Sequence, residues 1–169
     1  MRADIRKNLQ REVKFRLLAR NKQAVMDALV AKAELDLPNS SVQAEINRLL
    51  EGARADLKQR GIKDADKAPI PDDVFRPQAE RRVRLGLVVA ELVRSNNLQA
   101  KTEQIKAHIE ELAASYEKPA EVLRWYYSDN NRLAEVEAIV IENNVTEFVM
   151  DKATVSEKSV SFDELMAQN

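Results

Sequence analysis

An all-α fold is predicted by three observations. Five prolines and three glycines leave long uninterrupted stretches in a chain of 169 residues. With 33% charged and only 5% aromatic residues, the composition favours solvated helices over sheet. Apolar residues also recur three and four positions apart, the repeat of a helix with one buried face. The length suits one domain or a small pair and is enough to bury a core.

Residues 2–33 contain no Gly or Pro and read as one helix. At 1.5 Å per residue it measures about 48 Å, against a diameter of about 40 Å for a compact domain of this length. The helix is therefore expected to act as a spine that projects beyond the body. Ile5, Leu9, Val13 and Leu17 form one stripe, whereas Phe15, Leu18, Val25, Met26 and Leu29 lie mainly on the other side. Pro38 ends this segment and begins the next helix. Ser40 with Gln43 resembles a capping box, and Val42, Ile46, Leu49, Leu50, Ala53 and Leu57 share one face. Gly61 closes that helix. Residues 61–72, GIKDADKAPIPD, read as an exposed linker.

A central helix is expected from about Asp73 to Arg94, with Pro77 in a distorted first turn or at the true start. Val83, Leu85, Leu87, Val88, Val89, Leu92 and Val93 leave it apolar around most of its circumference, so enclosure is expected. It is too short and too charged at its ends to span a bilayer. Asn96 and Asn97 stop it. The next helix covers about Lys101 to Tyr116, with Ile105, Ile109, Leu112, Ala113 and Tyr116 on one face, and should pack against the central helix. Pro119 opens a brief helix, PAEVLRWYY, and residues 128–131 cap a last long helix to Lys152. The tail TVSEKSVSF reads as extended, with Ser161 and Glu164 capping a terminal turn that holds Leu165 and Met166.

Charge and chemistry narrow the function. The net charge is -1, yet residues 2–22 hold eight bases against Asp4 and Glu12. Without cysteine there is no disulfide, thiolate or cysteine metal site. His108, the only histidine, sits between Ile105, Ile109 and Leu112 and reads as a core-flanking residue, so no zinc site is expected. Gly52, Gly61 and Gly86 are isolated and form no phosphate loop. Neighbouring acids such as Glu110 and Glu111 point in different directions on a helix. The pattern argues against an enzyme and implies no cofactor and no metal. The N-terminus lacks the apolar core of a signal peptide, which makes the cytoplasm the expected compartment.

Two features could bind. The basic first helix could hold acidic lipid or RNA, but its bases are spread around it and no aromatic precedes Phe15. Tyr116, Trp125, Tyr126 and Tyr127 fall within twelve positions around Pro119. A short helix cannot bury all of Val122, Leu123, Trp125, Tyr126 and Tyr127 on one stripe. The cluster is thus either an accessible contact surface or a mini-core locking two helices together.

Several motifs carry a family resemblance across essentially the whole chain. RRVRLGLVVAELVRSNNL, YEKPAEVLRWYYSDNNRL and VTEFVMDKATVSEKSVSFDELM, in this order, resemble the C-terminal domain of bacterial trigger factor. RADIRKNLQREVKFRLLARNK and the LDLP step are similar to the start of that domain. The periplasmic SurA-type chaperones share the general fold but match less well. The resemblance implies an elongated multi-helix chaperone domain over residues 1–169, with one long spine helix and protruding helical arms. It implies an ATP-independent chaperone module for nascent or unfolded polypeptides, in a ribosome-associated folding factor. The family's ribosome-docking and peptidyl-prolyl isomerase domains match nothing in the chain, so isomerase activity and ribosome contact are expected outside it.

The family's client contacts transfer by motif to Tyr116, Val122 and Trp125. Tyr126, Ile62 and Met26 complete the expected client-binding set. The family's aromatic residue between the second and third helices has no counterpart in this chain, where Arg60, Gly61 and Ile62 occupy the region. The reading includes no membrane and no direct nucleic-acid partner, and is compatible with a homodimer. Its competitor is a helical adaptor that binds RNA or acidic membrane through the first helix.

Overall fold

A computed structural model of the chain describes residues 2–62, 64 and 69–167, without the side chains of Arg2, Ala3, Asp4 and Lys7. Among the described residues every regular element is helical, which makes the fold all-α. The helices are α1 (Arg2–Lys32), α2 (Asn39–Gln59), a 3₁₀ turn at Asp72–Val74, α3 (Arg76–Asn96), α4 (Thr102–Ala113), α5 (Pro119–Tyr127), α6 (Asn130–Lys152) and α7 (Phe162–Ala167). The chain divides into two compact units, residues 28–91 and residues 1–27 with 92–169.

The first of these units is built on α2. Val42, Ile46 and Ala79 form its core, joined by Leu37, Leu49, Phe75 and Val83. Ala79, with no side chain beyond Cβ, is fully buried in this cluster. Arg82 Nη1 meets Glu45 Oε1 at 2.9 Å on the rim, and Gln43 donates to Asp72 Oδ2 at 3.1 Å. The expected capping box at Ser40 is absent, because the N-cap is Pro38, two positions earlier, and the helix begins at Asn39. Gln43 is thereby left free to reach the 3₁₀ turn. The C-terminus of α2 follows expectation. Gly61 takes φ 77, its amide donates to Lys58 O, and the Ile62 amide donates to Leu57 O, the paired bonds of a Schellman motif. Of the anticipated linker, Gly61, Ile62, Asp64 and Pro69 are exposed and Ile70 is half-buried; Lys63 and residues 65–68 lie outside the described residues.

The central helix departs from expectation. It starts at Arg76, after the 3₁₀ turn, with Pro77 in its first turn, and Ala79 is its only fully buried residue among those described. Leu87 is 40% exposed, and Val83, Leu85, Val88, Val89, Leu92 and Val93 are only half-buried. The periodicity correctly gave a helix, but apolar residues all round it do not guarantee neighbours on every side. Asn97 ends it with φ 55, and the Leu98 amide reaches back to Val93 O.

In the other unit, α4, α5 and α6 pack on one another. Ile109 of α4 and Val136 and Val140 of α6 form the core, with Ile105, Leu123, Tyr126 and Leu133 against it. Asp129 caps α6 by accepting the Asn131 amide at 2.8 Å. The loop before α4 is pinned by Asn144 of α6, whose Nδ2 donates to Leu98 O at 3.2 Å. Gln104 Nε2 donates in turn to Asn144 Oδ1 at 2.8 Å, while its own Oε1 accepts the Lys101 amide at 3.0 Å. Long polar side chains tie α1 into this unit: Lys14 to Glu111 at 3.0 Å, Lys22 to Glu142 at 2.8 Å and Arg11 to Ser115 Oγ at 3.0 Å. Ser161 Oγ accepts the Glu164 amide, as expected for the start of α7.

Candidate functional site

The groove beside α5 follows from the local sequence. Pro119 sits at the first position of α5, where its missing N–H costs nothing. From that start, Leu123 and Tyr126 turn toward the core of Ile109, Val136 and Val140. Val122, Trp125 and Tyr126, spaced i, i+3 and i+4, then share one helix face. With Tyr116 and Glu121 they line an open groove of about 370 Å³. Tyr116 enters it from the turn after α4, where its amide donates to Ala113 O.

The aromatic residues are exposed yet held. Trp125 is 52% and Tyr116 is 61% exposed. Trp125 and Tyr126 meet edge to face, with centroids 5.0 Å apart and planes at 83°, the arrangement their quadrupoles favour. The Arg132 guanidinium lies 3.9 Å from the centroid of the Trp125 ring, a cation–π contact. Arg132 Nη1 also donates to Trp125 O at 2.6 Å and to Ser128 Oγ at 3.3 Å. At the rim, Lys118 Nζ pairs with Glu121 Oε1 at 3.0 Å. The groove therefore presents fixed aromatic and aliphatic surface with a charged edge, a form suited to apolar side chains of a flexible partner.

Four of the six expected site residues, Tyr116, Val122, Trp125 and Tyr126, meet in this groove. The other two are not among the residues that line it. Ile62 is half-exposed just after the Schellman turn of α2. Met26 is 7% exposed, so little of its side chain is open to a client. Glu121 is an addition that the i, i+4 spacing to Trp125 could have signalled. Arg132 is another; no sequence pattern marks a cation seven residues from the ring it covers. His108 is half-buried and borders a shallow hollow with Glu111 and Glu147.

Comparison with known proteins agrees with the motifs. Residues 1–151 match the family model described as bacterial trigger factor protein (TF) C-terminus. The trigger factor of Albidiferax ferrireducens is 86% identical over 169 residues, all of this chain and 39% of that protein. The trigger factor of Variovorax paradoxus is 85% identical over 168 residues, 99% of this chain and 38% of that protein. That of Acidovorax sp. is 83% identical over 168 residues, with the same coverage. The chain thus spans about two fifths of the length of these relatives, and it belongs to the bacterial trigger factor family, to whose C-terminal part it corresponds.

Proposed function

We propose that this chain is an ATP-independent holding module that binds apolar segments of nascent or unfolded polypeptides. The observation that carries the proposal is the open groove in which Tyr116, Val122, Trp125 and Tyr126 present fixed apolar surface. Ile62 supplies a separate, weaker contact, and the exposed Leu87 offers another apolar point. A buried aliphatic side chain contributes roughly 1.5 to 3 kcal/mol, so each patch alone exchanges its client quickly. Several patches on one chain raise one another's effective concentration, and release needs no nucleotide. Met26 serves this function through packing. Isomerase activity and ribosome contact belong to other parts of the whole protein, the compartment is the cytoplasm, and no helix among the described residues is long and apolar enough to cross a membrane.

The bases of α1 favour this reading over RNA or acidic-lipid binding. Lys14 and Lys22 are engaged with acids of α4 and α6, Arg16 with Glu12 at 2.7 Å, and Arg11 with Ser115 and Asn8. Titration with an isotope-labelled, permanently unfolded polypeptide tests the proposal. Client signals should broaden at tens of micromolar while the Val122 methyls and the Trp125 indole shift. Raising salt to about 1 M should leave binding intact or strengthen it. Absence of any client response, or binding lost steeply with salt as phosphate contacts require, would overturn the proposal.

A further inference from the structure

A second depression lies on α1, away from the α5 groove, and its form follows from side-chain size. Ala19 and Ala24 make a low floor between the long side chains of Arg16, Arg20, Gln23 and Asp27. Positions 16, 19, 20, 23, 24 and 27 recur at helical spacing and so share one face. The resulting cleft of about 600 Å³ is closed on one side by Leu165 of α7. Leu165 is 7% exposed, although α7 has only six residues. Arg16 Nη1 holds the carbonyl of the next residue, Met166, at 3.3 Å.

Three features make α7 a poor permanent filling for this cleft. The segment that leads to it, residues 153–159, is exposed throughout, and Phe162 on α7 itself is 49% exposed. Substantial space remains beside Leu165. Arg20 is one of the residues that line the cleft, and its Nη1 is buried without a hydrogen-bond acceptor among the described residues, an unmet requirement for a carbonyl or carboxylate oxygen. An extended or helical segment with one aliphatic side chain and free carbonyls beside it would satisfy the cleft better than α7 does.

We propose that this α1 cleft is a second polypeptide-docking site, that α7 occupies it as a built-in surrogate, and that a client segment displaces α7 by inserting an aliphatic side chain and offering a carbonyl to Arg20. The proposal rests on the chaperone reading above and adds a site and its regulation. Surrogate occupancy lowers the apparent affinity of the cleft by the fraction of time α7 is docked.

The test uses the 169-residue chain with methyl labels on Leu165, Ala19, Ala24 and Val122, titrated with reduced, carboxymethylated lactalbumin as a permanently unfolded client. Leu165 methyls should move toward the position of an undocked leucine while Ala19 and Ala24 shift to a new bound position. Leu165→Ala, with far-UV circular dichroism to check helicity, should bind the client roughly tenfold tighter at this site. If Val122 responds while Leu165, Ala19 and Ala24 stay fixed at saturation, the second site is refuted and the α5 groove stands. If no methyl responds, both readings fail. Should Leu165→Ala lose helicity, the wild-type methyl titration alone decides the matter, because it needs no substitution.

Discussion

Trp125 is half-exposed and yet constrained from two directions, by the edge of Tyr126 and the guanidinium of Arg132. A large side chain held in one rotamer loses little entropy when a partner lands on it, which is why such residues dominate interface energetics. Trp125→Ala and Tyr116→Ala should each weaken client binding about three- to tenfold in an isothermal titration, with the helical circular dichroism unchanged. A loss of helicity in either variant would instead make the cluster a mini-core. Arg132→Ala should cost about 0.5–1 kcal/mol of stability through the lost cation–π contact and shift Trp125 fluorescence toward that of a solvated indole. The four groove residues were legible because they crowd within eleven positions, too densely for one short helix to bury. Met26 was not. The spacing of apolar residues along α1 shows which side a residue lies on, not whether that side is covered.

At the scale of elements, helix ends decided several outcomes. Pro38 takes the N-cap of α2 and cancels the Ser40 box, whereas no competing residue precedes Ser161, so its cap forms. Gly61 sits at φ 77 in open space; Gly61→Ala meets no clash and should cost only the left-handed strain, about 1 kcal/mol in chemical denaturation. Asp129→Ala, which removes the accepted amide bond of α6, should cost about 1 kcal/mol as well. The position and length of every long helix could be read from apolar spacing and from Pro and Gly. Partnership could not: most of the apolar residues around α3 are only half-buried and Leu87 is exposed, and α4 packs on α5 and α6, later in the chain. Spacing along one helix records which side can be buried, not which second helix arrives there.

For the molecule as a whole, the division into two units falls between residues 27 and 28, inside α1, and between 91 and 92, inside α3. The linker of residues 61–72 lies within one unit, because Gly and Pro mark turns and a change of packing partner along a continuous helix needs neither. Each unit has its own small core. Ile46→Ala, at a fully buried position, should cost about 2–4 kcal/mol, and hydrogen exchange should show the lost protection concentrated in residues 28–91. The ties of α1 behave differently. Lys14–Glu111 and Lys22–Glu142 are open to solvent, are each worth at most about 1 kcal/mol, and weaken as salt screens them. The link from α6 to the loop before α4 instead consists of two uncharged amides, Asn144 and Gln104. Neither carries a charge that ions can shield, so this joint keeps its grip in brine while the charged fastenings of α1 slacken.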